Sequence, residues 1–171
     1  MQLDSSLKAG VPKTSSMSNI FKGFADQDGL LLHYGSGSVE KDRVPVIELY
    51  DLDGNFIFKK SYSTLKGYVI NTINKGRNGH YLITGYQSFT DAGAPPTSDV
   101  MFMEIDASGN LLNSKSYAFD VRDFGYSVYN RTNDYLLVGR SEHSEYNQLF
   151  SSWRVVGQPV WMLLDENGNS K

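Results

Sequence analysis

The chain has 171 residues, no cysteine and a formal net charge of −3, from 16 Lys and Arg against 19 Asp and Glu. This balance provides no basic stripe for nucleic acid, and the lack of cysteine excludes disulfides, thiolate metal sites and cysteine nucleophiles. No apolar run approaches the roughly 20 residues that cross a bilayer, and the N-terminal residues lack the charged and apolar regions of a secretory signal, so we expect a soluble chain.

Two phrases recur three times in the same order along the chain. The first reads GLLLHYGSGS, HYLITGYQSF and DYLLVGRSEH, and the second reads VIELYDLDGN, MFMEIDASGN and VWMLLDENGN. The recurring positions are marked by Gly35, Gly85 and Gly139 in the first phrase and by Asp51, Asp106 and Asp165 in the second. Short apolar runs that repeat at this period, separated by Gly and Asn, are typical of β-repeat arrays such as propellers.

Each period has room for four short strands. The first strand of the first copy is predicted near residues 17–24, and the middle copy predicts strands at 67–73, 80–87, 100–106 and 111–117. The segments between the first and second strands are rich in Asn, Asp and Gly, which favour tight hairpins. Each copy is therefore expected to form its own four-stranded antiparallel sheet.

The third strand of every copy is apolar almost throughout, at residues 46–50, 101–105 and 160–164. A strand with one solvated face should alternate apolar and polar residues, so these strands are predicted to be covered on both faces. A blade packed between two neighbouring blades of a propeller provides that environment.

We therefore predict an all-β fold, a β-propeller-like array of about three four-stranded antiparallel blades in one domain over residues 1–171. The blades cover residues 17–62, 67–117 and 125–171, and residues 1–16 can supply a closing strand. Because propellers have about 4 to 8 blades, the array is expected to be a fragment of a larger propeller or half of an oligomeric ring.

The connection between the second and third strands lengthens from copy to copy. In an up-and-down blade it lies at the same end as the crossover to the next blade, and insertions at one end of a repeat array often form its binding surface. The segments expected at this end are residues 36–43, 63–66, 88–99, 118–124 and 141–158.

Aromatic and Arg side chains, which anchor protein partners and stack on sugars, concentrate in these segments. The candidate ligand-binding residues are Phe89, Arg122, Arg140, His143, Tyr146, Trp153 and Arg154. In the alternative interpretation, the aromatic and Arg side chains of the third joint fold back as a lid over the local sheet.

Catalytic and metal chemistry have weaker support in the sequence. Many acids fall at the same end, where a pair could serve glycoside hydrolysis: Glu40, Asp42, Asp91, Asp99, Asp120, Asp123, Glu142 and Glu145. The three histidines, His33, His80 and His143, have no metal-ligand spacing. The recurring Asp-x-x-Gly-Asn turns could hold calcium or act as structural hairpins, and too few carboxylates favour the second reading. We expect no cofactor, metal or catalytic residue.

The phrases HYLITGYQSF, SDVMFMEIDASGNLLNSKSYAF and DFGYSVYNRTNDYLLVGRS resemble the degenerate β-propeller repeats of Bacteroidota-type surface or lipoprotein-like proteins. The resemblance covers about residues 20–169. It implies an extracytoplasmic or cell-surface bacterial protein, in a fold that carries many unrelated activities.

The expected function is a non-catalytic binding or scaffold module that recognises a protein or a glycan through the long connections. The alternative is part of a propeller-type hydrolase or lyase that acts on glycans. The expected partners are such a ligand and either a head-to-tail second copy or a larger parent chain.

Overall fold

A computed structural model describes residues 22–26, 29–35, 44–51, 53–89 and 97–171. Unit 1 contains β1 (Lys22–Asp26), β2 (Gly29–Gly35), β3 (Pro45–Tyr50) and β4 (Phe56–Ser61). Unit 2 contains β5 (Tyr68–Lys75), a 3-10 turn (Arg77–Gly79), β6 (Tyr81–Phe89), β7 (Thr97–Ile105) and β8 (Leu111–Tyr117). Unit 3 contains β9 (Arg122–Asn130), β10 (Tyr135–Asn147) and β11 (Ser152–Leu164).

The all-β class is confirmed. Strands within each unit follow one another in antiparallel order, as β1-β2-β3-β4, β5-β6-β7-β8 and β9-β10-β11. No helix that could span a bilayer occurs among the described residues. The predicted closing strand at residues 1–16, and residues 17–21 of the first predicted strand, lie outside the described part of the chain.

The units are less separate than the sequence predicted. A single parallel pair, Ser98 with Arg122, joins β7 to β9, so units 2 and 3 form one seven-stranded sheet. The backbone N–H of Ser98 also donates to the Val121 carbonyl at 3.2 Å. The junction exists because the chain leaves β8 and enters β9 directly beside the start of β7.

A recurring glycine in the second strand is explained by a β-bulge in the first strand. Asn71 is the extra residue opposite Gly85, and the pairing of β9 with β10 shifts in the same way at Gly139. A Cβ on Gly85 would overlap the Val69 carbonyl oxygen, so the bulge excludes any side chain there. Gly35 was predicted to be equivalent to Gly85. In unit 1, however, the residue that pairs at the equivalent position is Tyr34, opposite Val46, so Gly35 lies one residue away.

The Asp-x-x-Gly-Asn turns have the same construction in the three units. In each, the Asp carboxylate accepts hydrogen bonds from the backbone and side-chain N–H groups of the Asn, as Asp106 does from Asn110 at 2.8 Å for both. Gly54, Gly109 and Gly168 have φ values of 76°, 78° and 72°, a region that favours glycine. These carboxylates therefore act as hydrogen-bond acceptors that close the hairpins.

A Lys-Ser-Tyr sequence that occurs at residues 60–62 and 115–117 connects one unit to the next. Tyr62, just after β4, donates its hydroxyl hydrogen to the Gly109 carbonyl at 2.9 Å, and Tyr117 at the end of β8 donates to the Gly168 carbonyl. Burial raises the pKa of both tyrosines, and the carboxylate of the turn that each contacts raises it further. The two motifs thus form a repeated latch between consecutive units.

The first strands of units 2 and 3 lie side by side without a backbone ladder between them. Instead, side chains of β5 donate to backbone carbonyls of β9: Asn71 Nδ2 to Gly125 (3.0 Å), Thr72 Oγ1 to Tyr126 (2.6 Å) and Asn74 Nδ2 to Val128 (2.9 Å).

Two apolar cores lie between consecutive units, and β7 contributes to both. Met101, Met103 and Ile105 pack into the core shared with unit 1, and Val100 and Phe102 into the core shared with unit 3. Because successive side chains of a strand point to opposite faces, one apolar strand can supply two cores. The prediction that this third strand is covered on both faces is confirmed for β7.

Candidate functional site

Strand direction collects the long connections at one end of the units. The ends of β2, β6 and β10 and the starts of β3, β7 and β11 lie there, together with the crossovers between units, because neighbouring strands of each unit run antiparallel. We call this the long-connection end. The opposite end holds the short turns.

The longest predicted connection, residues 141–158, is itself β-structure. Strands β10 and β11 stay paired from Tyr135↔Leu164 to Asn147↔Ser152, so a hairpin of two 13-residue strands replaces the expected loop. We call residues 141–158 the hairpin arm. The sequence did not predict these strands, because the polar run RSEHSEYN lacks the alternation of apolar and polar residues that indicates a strand. Backbone pairing with β11 does not require that alternation.

One face of the arm carries a charged ladder. His143 Nε2 lies 3.0 Å from Glu145 Oε1, and its Nδ1 lies 3.3 Å from Asp120 Oδ2. Arg154 Nη2 donates to Glu145 Oε2 at 2.8 Å across the strand pair. The hydrogen bond from His143 and then that from Arg154 hold the pKa of Glu145 below its usual range.

The opposite face of the arm carries a second charged group. Glu142 Oε1 lies 3.1 Å from Arg140 Nη2, and its Oε2 lies 3.6 Å from Arg122 Nη1. Arg140 lies across the backbone at Gly157, where a Cβ would overlap its guanidinium group. The Arg122 guanidinium also lies 5.5 Å from the centre of the Phe124 ring, within cation–π range.

A buried carboxylate lies at the base of the arm. Asp123 is 0% exposed, and its Oδ2 accepts the backbone N–H groups of Phe119 at 2.6 Å and Asp120 at 3.0 Å. The Ser98 hydroxyl bonds both the N–H and the carbonyl of Asp123, which fixes β9 against the start of β7. Sequence reasoning placed Asp123 at this end among many acids but had no signal for its burial.

Three buried polar atoms near the base of the arm have no hydrogen-bond partner: Asp123 Oδ1, Ser141 Oγ and His143 Nδ1. Ser141 pairs with Asp123 in register, and His143 follows two residues later on the same strand. Asp120 lies at ion-pair distance from His143 Nδ1 but outside hydrogen-bond geometry. Since both ring nitrogens of His143 face carboxylates, the geometry does not form a Ser-His relay.

Two acids at the base have different environments. Desolvation raises the pKa of Asp99, and the negative charge of Asp123 raises it further. Asp123 instead accepts two backbone N–H groups through its Oδ2. No group of three His, Asp or Glu side chains in the described parts of the chain could hold a metal ion.

The tip of the arm is apolar and exposed. Leu149 is 91% exposed and Phe150 is 77% exposed, and Tyr146 and Val155 beside them are more than half exposed. In the lid interpretation the aromatic side chains would fold onto the sheet and be buried, whereas Phe150 and Tyr146 are exposed. The side chain of Trp153, which the lid interpretation also involved, lies outside the described part.

The structure brings five of the predicted ligand-binding residues together on the arm and at its base: Arg122, Arg140, His143, Tyr146 and Arg154. The backbone of Trp153 pairs with Tyr146 on the same arm. Phe89 ends β6 in the neighbouring unit and is 40% exposed. His80 lies at the other end of β6, where its Nδ1 contacts Glu104 Oε1 at 2.8 Å.

The remaining predicted residues add little to the site. His33 lies in β2, and Glu40, Asp42 and Asp91 fall outside the described residues.

No protein-family model matches the chain, and no curated protein is significantly similar to it.

Proposed function

We propose that the chain is a β-propeller-like repeat module that binds a partner without catalysis, through the hairpin arm at the long-connection end. The module is proposed to belong to a bacterial surface-associated protein. The propeller interpretation is supported by the order of the antiparallel strands, the two inter-unit cores and the latch that recurs between units.

The exposed apolar tip is the observation that carries the binding proposal. Tyr146, Leu149, Phe150 and Val155 are each more than half exposed at or near the end of a strand pair held by continuous backbone pairing. Exposed apolar clusters with a charged surround commonly mark protein interaction sites. The two charged groups on the faces of the arm supply that surround.

The composition of the tip favours a protein over a glycan as the partner. Leu149 and Val155 are aliphatic, whereas sugar rings stack on flat aromatic faces. Apolar tips of this kind insert into grooves of protein surfaces and lose their solvent-exposed area on binding.

The test compares ligand selection by the native chain and by a tip variant. A peptide-display library and a glycan array are probed with the native chain and with a Leu149→Ser, Phe150→Ser double variant. Selected peptides should lose about tenfold or more in affinity for the tip variant, because a truncated apolar anchor costs about 1.4 kcal/mol or more.

The matched control changes two half-exposed apolar residues outside the arm, Ile57→Ser and Leu112→Ser. This control should bind the selected peptides as the native chain does. Glycans retained by the native chain and lost by the tip variant would redirect the proposal to sugars. Equal binding by both variants would overturn the role of the tip.

One observation supports a second candidate, part of a glycan hydrolase or lyase. Desolvation and then the negative charge of the buried Asp123 raise the pKa of Asp99, and glycosidases use a pair of carboxyl groups as acid and base. Release of reducing sugar from a polysaccharide panel, abolished by Asp99→Asn, would establish this candidate over the non-catalytic module.

A further inference from the structure

His143 lies where the hairpin arm leaves the body of the sheet. The pairing of β10 with β9 ends at Glu142↔Arg122, and His143 is the next residue along β10. Its Nε2 lies 3.0 Å from Glu145 Oε1 on the arm, and its Nδ1 lies 3.3 Å from Asp120 Oδ2 on the crossover between units 2 and 3. The imidazole ring therefore bridges the arm and this crossover just past the end of the backbone ladder.

A neutral imidazole cannot satisfy both of these contacts. It carries one N–H group, so either neutral tautomer leaves the other ring nitrogen as a bare acceptor against a carboxylate oxygen, which is also an acceptor. The imidazolium form has a donor on each nitrogen and satisfies both carboxylates. The Nδ1 atom is buried and has no hydrogen-bond partner, so its protonation would add a contact to Asp120. The two distances therefore fit the protonated form of His143.

The other charged groups around His143 are mostly acidic. Arg154 on β11 lies on the far side of Glu145, with its Nη2 at 2.8 Å from Oε2. Asp123 on β9, which is fully buried, lies at the base of the arm. Asp120, Asp123 and Glu145 thus share two cations, Arg154 and protonated His143. Loss of the His143 proton leaves three carboxyl groups with one cation, which is unfavourable because like charges repel.

The crossover is tied to the base of the arm by its backbone as well. Asp123 Oδ2 accepts the N–H groups of Phe119 at 2.6 Å and Asp120 at 3.0 Å. Asp120 therefore contacts Asp123 through its backbone and His143 through its side chain. Release of the Asp120 side chain would loosen the crossover and remove one contact that holds the arm.

We propose that His143 is a proton-controlled clamp, which holds the hairpin arm against the crossover when it is protonated and releases the arm when it loses the proton. Histidine changes its charge between about pH 5 and 8, so the clamp closes on the acidic side of this range. The consequence for binding rests on the proposed function of the arm. A binding surface that is already fixed loses less conformational freedom, so the partner should bind more tightly at acidic pH.

Hydrogen exchange of the native chain tests the clamp without a ligand. The backbone N–H groups of Phe119 and Asp120 donate to Asp123, so their protection factors report whether the crossover is held. A protection factor is already corrected for the intrinsic effect of pH on exchange. We expect these factors to fall at least about fivefold between about pH 5.5 and about pH 8.5, and those of residues 101–105 in β7 to stay unchanged.

Substitution of His143 by Gln removes the titrating charge and keeps a hydrogen-bond donor. In His143→Gln, the protection factors of the crossover amides should therefore be the same at both pH values. The matched control is His80→Gln, because His80 also contacts a carboxylate, with Nδ1 at 2.8 Å from Glu104 Oε1 at the short-turn end. This control should keep the pH response of the native chain.

Two acidic residues provide further variants. Asp120→Asn should abolish the response, because its amide can donate to the bare Nδ1, and neutral His143 then satisfies both contacts. Asp99→Asn should keep the response. Desolvation and then the charge of Asp123 raise the pKa of Asp99, so this variant removes the other acid whose titration would affect the base of the arm. Circular dichroism at both pH values checks that each variant folds.

Peptide affinity connects the clamp to the proposed function. Peptides selected on the native chain at about pH 5.5 are titrated into the native chain and His143→Gln at both pH values. The affinity of the native chain should fall at least about fivefold at the higher pH, and that of His143→Gln should not depend on pH. Failure to select any peptide would count against the proposed function, and the exchange measurement would still decide the clamp.

Three results would overturn the proposal. The first is protection of Phe119 and Asp120 that does not change between the two pH values in the native chain. The second is a response that persists in His143→Gln. The third is a set of peptides that need Leu149 and Phe150 but bind the native chain equally at both pH values, because the clamp would then not regulate the site.

Discussion

The two ends of the units differ in how much their sequences and structures repeat. At the short-turn end, the three Asp-x-x-Gly-Asn hairpins have the same hydrogen bonds and the same positive φ at glycine. At the long-connection end, the connections differ in length, and unit 3 extends into the hairpin arm. The repeated end thus carries the latches between units, and the variable end supplies the candidate site and the junction between β7 and β9.

The comparison also separates two roles of polar groups. In the turns, Asp106 and Asp165 direct their oxygens to N–H groups of the chain. At the base of the arm, Asp123 Oδ1 and Ser141 Oγ are buried without hydrogen-bond partners. Unpaired buried polar atoms cost stability, so their presence at one end is consistent with a role beyond folding.

The largest expected effect is on the free energy of unfolding, when Gly85 in the sheet and Gly157 in the hairpin arm are each replaced by Ala. Gly85→Ala places a Cβ against the Val69 carbonyl at the bulge, where rigid backbone cannot move aside. We expect a loss of at least about 3 kcal/mol in the free energy of unfolding. Gly157→Ala meets only the flexible end of Arg140 and should cost less than about 1 kcal/mol. Urea denaturation measures both, and similar losses would contradict the comparison.

A smaller effect is expected at the latch between units. Tyr117→Phe removes the donor to the Gly168 carbonyl, and Tyr62→Phe removes the donor to the Gly109 carbonyl. Each should cost about 1 to 2 kcal/mol, because a buried carbonyl loses its hydrogen bond. Tyr129→Phe, at a half-exposed tyrosine, is the control and should stay within about 0.5 kcal/mol. A latch variant as stable as this control would show that the hydroxyl contributes nothing.

The smallest effect concerns acid stability of the turns. The backbone N–H of Asn110 is the main cause that lowers the pKa of Asp106, and the Asn110 side chain adds to it. A folded-state pKa below the unfolded value, about 3.9, stabilises the fold above that pH, and this stability is lost as the pH falls through the folded-state pKa.

Asp106→Asn should therefore be less stable than the native chain at pH 7, and the difference should shrink below about pH 4. Denaturation midpoints measured across this range provide the check. A difference that does not depend on pH would assign the loss to geometry instead of charge.

The all-β class, the order of strands within each copy and the positions of the short turns could be predicted from the sequence. This was possible because turn residues and apolar strand runs act locally: Gly109 is needed where φ is positive, and the apolar run Met101 to Ile105 forms a buried strand. These features repeat with the sequence and need no knowledge of distant contacts.

Features that depend on pairing between distant segments became apparent in the three-dimensional structure. The polar segment 141–158 forms paired strands, and β7 pairs with β9. Asp123 is buried and hydrogen-bonded to Ser98. Tyr34, and not Gly35, occupies the position equivalent to Gly85. The physical reason is that register, burial and edge exposure are set by which strand lies opposite, and no single segment of the sequence specifies its neighbour.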